Sequence, residues 1–123
     1  MNTIKGLSAQ NAVTESHLLV KRGSGAQQFT PTTAVNDKVL GFVTRKVGVG
    51  ELAAVYGTAQ ITKFRAAGSI AQDANLMPSA AEGKNGYVAT AAGAGSTIIG
   101  KALQEAADGD LFLALYYTSH GTV

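Results

Sequence analysis

The stretch STIIGKALQEAADGDLFLALYY, residues 96–117, decides between a helical and a β interpretation of the chain. Its centre, KALQEAA, has the Ala, Leu, Gln and Glu content of a helix. Its flanks, STII and DLFLALYY, are rich in β-branched, leucine and aromatic residues, which favour strands. The second flank also alternates leucine with other apolar residues at every other position, the period of a strand. The flanks therefore predict two strands, and the centre must be interpreted from the rest of the chain.

An earlier stretch of the chain repeats this one and settles the interpretation. VLGFVTRKVGVGELAAVY begins at Val39, and IIGKALQEAADGDLFLALY begins at Ile98. Both stretches read apolar-apolar-Gly, eight residues, then Gly-acid-Leu. In the first copy the eight residues are FVTRKVGV, whose valines and threonine fit a helix poorly. If the two copies share a shape, residues 98–117 form a strand, a turn and a second strand. The acidic residue after each glycine then closes a turn by accepting a backbone N–H.

Short apolar segments separated by glycine make up the chain after Ala34. We predict a short strand at 16–22 and further strands at 39–47, 51–57, 58–64, 87–91, 97–103 and 110–117. Residues 67–86 are expected to hold one helical turn and a polar loop that ends in the hairpin dipeptide Asn85-Gly86. The predicted fold class is therefore all-β and mainly antiparallel, either a small β-barrel or a β-sandwich.

The N-terminal part of the chain has a different character. Residues 1–15 are polar and lack a sustained period, and residues 23–33, GSGAQQFTPTT, are rich in turn-forming residues. Pro31 also restricts the preceding residue to extended geometry. We therefore predict a polar, extended N-terminal arm and linker over residues 1–33 and a compact β domain over residues 34–123.

Composition excludes several classes of protein. Hydrophobic residues make up 46% of the chain, enough for a packed core and too many for a disordered protein. The net charge of +2 comes from scattered residues, so we expect no nucleic-acid partner, which would require a clustered basic face. With no cysteine, disulfides and thiolate chemistry are excluded. No apolar run has the length of a signal peptide or membrane helix, so we expect cytoplasmic synthesis and no membrane partner.

No motif in the chain announces a metal or cofactor. Asp108-Gly-Asp110 could begin a cation loop, but the apolar LFLALYY that follows lacks the spaced ligands of an EF-hand. His17 and His120 are the only histidines and lie near opposite ends of the chain. The glycine-rich segments at 47–50 and 93–96 complete neither a dinucleotide nor a phosphate loop. We therefore predict no catalytic, cofactor-binding or metal-binding residue, no cofactor, and no enzymatic activity.

Two alternatives remain open at this stage. An enzyme could assemble a site in space from Asp37, Asp73, Glu82 or His120, although no GxSxG nucleophile elbow is present. A small β-barrel module could bind a ligand or glycan in an apolar pocket with converging polar groups. The sequence offers no aromatic cluster suited to stacking on a sugar, which disfavours the second alternative.

From about Val35 to Tyr116 the chain resembles the capsid decoration proteins of tailed bacteriophages, also called cement or head-stabilising proteins. A glycine-led strand pair is followed by AGSIAQDANLMPSAAEGK, similar to the family's Ala-Gly-x-Ile-x-x-Gly-x-x-Leu segment. The Ala/Thr-rich GYVATAAGAG comes next, and IIGKALQEAADGD resembles the ending Ile-Gly-x-Ala-Leu-x-x-Ala-x-x-Gly-Asp. The chain departs from the family at Gln72-Asp73, where a glycine is expected.

The resemblance implies a non-enzymatic, β-rich protein that binds the outer surface of a phage capsid. Its expected partners are the major capsid protein, whose subunits it would bridge to stabilise the shell, and further copies of itself, with a trimer favoured. Its expected location is the virion. On this basis Lys21, Arg22 and Phe29 are the predicted capsid contacts, since they lie on the N-terminal segment that would reach the shell.

Overall fold

The computed structural model describes residues 3–123, apart from the side chains of residues 3–5, 118 and 119. Ten strands form in this range: β1 (Thr3–Ala9), β2 (Leu18–Arg22), β3 (Gln28–Pro31), β4 (Val39–Val43), β5 (Leu52–Tyr56), β6 (Gln60–Arg65), β7 (Asn75–Pro78), β8 (Val88–Thr90), β9 (Thr97–Ala102) and β10 (Leu111–Thr122). The described residues include no helix of the length and apolarity that a membrane crossing requires. The all-β prediction is confirmed.

The first five strands close into a barrel in the order β1-β3-β2-β4-β5. All neighbouring pairs are antiparallel except β1 and β3, which run parallel and join Ser8–Ala9 to Gln28–Phe29. Closure leaves no unpaired strand edge. The barrel interior is filled by nine buried residues: Ala9, Val13, Leu18, Val20, Phe29, Val43, Val47, Ala53 and Val55.

The last five strands form a second sheet in the order β6-β10-β9-β7-β8. Every ladder within it is antiparallel. A parallel bridge between Ala66 and Val88 joins the two edges of this sheet. It is the equivalent of the parallel β1–β3 pairing that closes the first barrel. Followed across this bridge from β6, the order of the second sheet is β6-β8-β7-β9-β10, which matches β1-β3-β2-β4-β5 strand for strand. We therefore call β1–β5 the first repeat and β6–β10 the second repeat.

Equivalent hydrogen bonds set the alignment of the two repeats. Val13 and Val47 exchange two backbone hydrogen bonds in the first repeat, and Ile70 and Ala106 exchange two in the second. The same alignment places nine residues of the second repeat at the interior positions of the first: Ala66, Ile70, Ala74, Leu76, Val88, Ala102, Ala106, Phe112 and Ala114. The duplication seen in two stretches of sequence therefore extends over the whole described chain.

Two local features occur at matching places in the repeats. A Cβ on Gly41 would overlap the carbonyl oxygen of Tyr56, and a Cβ on Gly100 would overlap that of Leu115. Only glycine therefore allows the close approach of β4 to β5 and of β9 to β10. The two non-glycine residues with positive φ, His17 (60°) and Asp73 (69°), also precede equivalent strands, β2 and β7.

The prediction for residues 96–117 is confirmed. Thr97–Ala102 and Leu111–Thr122 are strands, and the Ala- and Glu-rich centre forms the connection between them. There the Asp110 carboxylate accepts a hydrogen bond from the backbone N–H of Ala107 at 3.0 Å, the turn closure that the sequence predicts. Tertiary pairing thus overrides the helix propensity of KALQEAA.

The structure differs from the predicted arm and linker over residues 1–33. This segment supplies β1, β2 and β3 of the closed barrel, so a division at residue 33 would separate strands that share hydrogen bonds. The strands formed by Thr3–Ala9 and Gln28–Pro31 have weak patterns of their own, and the pairing of each with two neighbouring strands supplies the order. Pro31 fits here because it is the last residue of its strand.

The predicted helical turn within residues 67–86 is wrong. Asn75–Pro78 forms β7 instead, which pairs with β8 and β9. Gly86 has positive φ but Asn85 does not, so the dipeptide does not form the predicted two-residue hairpin turn, and the connection between β7 and β8 is longer. Short strands of this kind depend on neighbours more than on their own composition.

Candidate interaction surfaces

The described residues contain no group of three or more His, Cys, Asp or Glu side chains arranged to hold a metal ion. His17 lies in the loop before β2, where its Nδ1 is 3.1 Å from Ser16 Oγ. Burial, followed by the charges of Arg65 and Lys63, lowers the pKa of His17 below its ordinary value. The lowered pKa favours the neutral form of the ring, and its polar contact is to a hydroxyl.

His120 lies on β10. Its Nε2 is 3.0 Å from the carbonyl oxygen of Tyr117, and its ring stacks edge-on against Tyr116 at 5.3 Å. Burial lowers the pKa of His120, although the hydrogen bond to the Tyr117 carbonyl acts in the opposite direction. These contacts make His120 a packing residue within its own strand.

Asp37, Asp73 and His120, three of the four residues of the enzyme alternative, have separate partners in the structure. The Asp37 carboxylate accepts hydrogen bonds from the backbone N–H groups of Thr33 and Ala34 and contacts Lys21 Nζ at 3.1 Å. Burial raises the pKa of Asp37, but these three partners outweigh it and lower the pKa overall. Asp73 faces Lys101 at 3.8 Å in the second repeat. The structure therefore gives Asp37 and Asp73 different partners, one in each repeat.

The predicted capsid contacts do not share a surface. Phe29 is fully buried inside the barrel, so its ring is not available to a partner that docks on the folded chain. Lys21 is engaged with Asp37 and with the Thr33 hydroxyl at 3.0 Å. Only Arg22 has an exposed side chain. The physical reason is the barrel itself, which turns Phe29 inward between neighbouring strands.

Asp108 and Asp110 point to backbone groups. Asp108 Oδ1 accepts a hydrogen bond from the backbone N–H of Gly68 at 2.8 Å and lies 3.9 Å from Lys84 Nζ. Asp110 closes its own turn onto Ala107. Both carboxylates therefore stabilise loops of the second repeat.

One groove in the second repeat has a volume of about 730 Å³ and is open to solvent. Its lining is Ser69, Ile70, Ala71, Thr90, Glu105, Ala106, Ala107 and Asp110. Small and acidic side chains provide most of this lining, and no aromatic ring is among them. Such a groove lacks the platform on which a sugar would stack.

The two repeats meet around the ring of Phe42. Leu19, Phe42 and Tyr56 are neighbours on β2, β4 and β5, and they point away from the interior of the first barrel. The Phe42 ring centroid lies 5.5 Å from that of Phe64 and 5.2 Å from that of Tyr116, both in the second repeat. One apolar cluster therefore continues from the outside of the first repeat into the second.

Polar contacts reinforce this junction. Arg65 Nε donates to the carbonyl oxygen of Ser16 at 3.0 Å, and its guanidinium lies 3.5 Å from the Glu15 carboxylate. The backbone of Gly86 is hydrogen-bonded to both Leu19 and Thr32. The first repeat thus uses one outward face to bind the second.

The second repeat carries an outward face on which two apolar side chains are exposed and two more are half-buried. Strand β10 alternates buried residues with outward leucines, and Leu111 is 40% exposed. Ile61, directly opposite Leu115 on β6, is 65% exposed. We define the Leu115 face as Ile61, Leu111, Leu113 and Leu115, bordered by Lys101 on β9 and by Lys63 and Arg65 on β6. Outward strand positions are ordinarily polar when a sheet faces water, so this face has the character of a contact surface.

Sequence reasoning missed these surfaces for an identifiable reason. DLFLALYY was recognised as a strand with apolar residues on both faces, and Phe112 and Tyr116 are indeed buried. An antiparallel strand that is apolar on both faces indicates that other parts of the protein, or a partner, pack against both faces of its sheet. That signal could have located the Leu115 face. Phe42 gave no such signal, because its outward direction depends on the barrel.

Comparison with solved structures shows the fold to be known. The crystal structure of the N base of head fiber gp8.5 from bacteriophage phi29 matches with a TM-score of 0.71 and 22% sequence identity, over 96% of this chain and 97% of that chain. Its source, a phage head, agrees with the resemblance that the sequence motifs indicate. No protein-family model and no curated protein matches the sequence.

Proposed function

We propose that this chain is a structural protein of a phage head, which binds the outer surface of the capsid and bridges subunits of the major capsid protein. The observation that carries the proposal is the fold match over nearly the whole of both chains to the base of a phage head fiber. The sequence resemblance to capsid decoration proteins supports the same conclusion independently, since it rests on motifs.

The proposed protein acts by contact and has no catalytic activity. A chain that binds the assembled shell but not free subunits stabilises the shell by mass action. Several modest contacts to neighbouring subunits add up to high avidity. Only 15% of this chain is charged, so its surface can approach another protein with little cost from desolvating ions.

We further propose that the chain associates with copies of itself, with a trimer as the favoured form. The Leu115 face supports self-association, because exposed apolar side chains such as Ile61 and Leu111 are stabilised when another chain covers them.

Co-sedimentation with capsids tests the proposed shell binding. Purified chain is added to expanded capsids that lack it and to free major capsid protein, and the bound copies are counted on gels. We expect saturable binding to capsids at a fixed ratio and a higher temperature of capsid disruption once the sites are filled. Absence of saturable binding, or equal binding to free subunits, would contradict the proposal.

A further inference from the structure

The hairpins that join β4 to β5 and β9 to β10 are equivalent in the two repeats but differ in charge. Residues 44–52, TRKVGVGEL, align with residues 103–111, LQEAADGDL. The first segment has two cations and one carboxylate, whereas the second has three carboxylates and no cation. At the equivalent positions Lys46 and Glu105 the sign of the charge is reversed, and both side chains are exposed.

The residues that shape the two hairpins are nevertheless the same in kind. Gly50 and Gly109 have positive φ, at 81° and 84°. The carboxylates of Glu51 and Asp110 both turn back onto their own hairpin, where each accepts a hydrogen bond from the backbone N–H three residues earlier. The difference in exposed charge is therefore not required by the turn, and it gives the two hairpins different surfaces.

The first hairpin presents apolar side chains together with its cations. Val49 is 69% exposed and Leu52 is 62% exposed. Neither Arg45 nor Lys46 forms an ion pair with a carboxylate of the described residues, and the Arg45 guanidinium instead donates to the carbonyl oxygen of Leu52 at 2.7 Å. We call Arg45, Lys46, Val49 and Leu52 the basic tip. A surface that is both apolar and cationic complements one that is apolar and anionic.

The second hairpin borders a groove of that complementary character. Glu105, Ala106 and Asp110 line the groove of about 730 Å³ described above, together with Ile70 and other small side chains. Glu105 contributes an exposed carboxylate that pairs with no cation of the described residues. Leu111 follows Asp110 directly in the chain, which brings the Leu115 face next to the groove. We call this groove the acidic groove.

We propose that the basic tip of one chain docks in the acidic groove of a second copy. Charge complementarity argues for a second copy, because every chain presents both a cationic, apolar tip and an anionic groove with apolar lining. The contact joins two different surfaces and is therefore head-to-tail, the kind that closes into a ring when the rotation between neighbours allows it. This inference rests on the proposed self-association and assigns a pair of surfaces to it.

Charge reversal at two equivalent positions tests the contact. Lys46→Glu makes the tip acidic, and Glu105→Lys removes the unpaired carboxylate of the groove and adds a cation. The fold should tolerate either change, since both side chains are exposed. Lys38→Glu and Glu82→Lys are the matched controls, because they reverse exposed charges outside both surfaces.

Analytical ultracentrifugation over a range of concentrations reports the assembly of each variant. We expect each reversal to raise the concentration needed for assembly by about tenfold or more, since it brings like charges together. The double variant Lys46→Glu/Glu105→Lys should assemble within about threefold of wild type, because its tip and groove are again opposite in sign. Raising the salt from about 0.1 M to about 1 M should weaken the assembly of wild type, since exposed charges are screened.

The outcomes separate this contact from the proposed function. Single reversals that assemble like the two controls, or a double variant that stays as weak as the single ones, would overturn the contact. A Lys46→Glu chain that assembles normally but no longer co-sediments with capsids would also overturn it and would make the shell the partner of the tip.

Wild type that stays monomeric at all concentrations would overturn both the contact and the proposed self-association, while the capsid assay tests shell binding separately. Should a reversal disturb the fold by circular dichroism, Lys46→Gln and Glu105→Gln replace the two reversals. Each of these neutral variants must then weaken assembly relative to Lys38→Gln, and equal assembly would overturn the contact.

Discussion

Replacing Phe42 with alanine tests whether the two repeats fold as one unit. The ring is 1% exposed and lies between the repeats, with its centroid 5.7 Å from Tyr56, 5.5 Å from Phe64 and 5.2 Å from Tyr116. Truncating a buried phenylalanine to alanine costs about 3–5 kcal/mol, which already includes part of the loss of its aromatic contacts. We expect the free energy of unfolding to fall by about 4 kcal/mol, a large share of the roughly 5–15 kcal/mol of a typical domain.

Lys101→Ala is the matched control because Lys101 occupies the equivalent position in the second repeat. Its side chain is 41% exposed and pairs with Asp73 at 3.8 Å, so its removal should change stability by no more than about 0.5 kcal/mol. Urea unfolding followed by circular dichroism and tyrosine fluorescence measures both variants. A loss below about 1 kcal/mol for Phe42→Ala, or two separate transitions in wild type, would refute the argument that this ring joins the repeats.

Three further measurements test other parts of the structure. Gly100→Ala should lower the free energy of unfolding, measured in urea, by about 1–3 kcal/mol, because its Cβ would overlap a carbonyl oxygen of β10. Gly121→Ala is the control and should be close to neutral, since its Cβ would enter open space. Equal effects of the two substitutions would contradict the role of the overlap. Burial lowers the pKa of both His17 and His120 below the ordinary value of 6.5, so the unfolded chain binds more protons as the pH falls. The melting temperature should therefore fall as the pH is lowered from about 7.5 to about 5.5, and it should fall less in His17→Asn. A melting temperature that does not change over this range would contradict the lowered pKa of the two histidines. Asp110→Ala should cost about 1 kcal/mol by removing the turn closure, without changing binding to capsids; loss of binding at unchanged stability would show a direct contact instead.

The strands that could be predicted are those whose own residues combine apolar alternation with β-branched or aromatic side chains. DLFLALYY and VLGFV combine apolar alternation with β-branched or aromatic residues, and both are strands. The repeated Gly-acid-Leu motif allowed residues 96–117 to be interpreted correctly against the helix propensity of their centre. A repeat carries this information because two sequences of different propensity must fit one backbone.

The N-terminal strands could not be predicted for the opposite reason. Thr3–Ala9 is held by hydrogen bonds to strands distant in sequence, and its own residues alternate weakly. Gln28–Pro31 contributes one large apolar residue, Phe29, within a segment of turn-forming residues. Their order comes from barrel closure, which is a property of the whole repeat.

The candidate surfaces were predictable only in part. Sequence motifs indicated a phage head protein, but the contact residues chosen from the N-terminal segment depended on its being an arm. Once that segment is folded into the barrel, Phe29 becomes core, and the exposed apolar residues are those of β6 and β10. The Leu115 face is recognised only once the pairing of β6 with β10 is known, because that pairing brings Ile61 next to Leu115.

The copy number of this chain in purified virions tests the central claim most directly. Intact particles are separated on a gel, and the chain is quantified against the major capsid protein. We expect a fixed ratio, near one or a simple fraction set by the capsid lattice. Absence from particles, or presence only in traces, would contradict the assignment to a phage head.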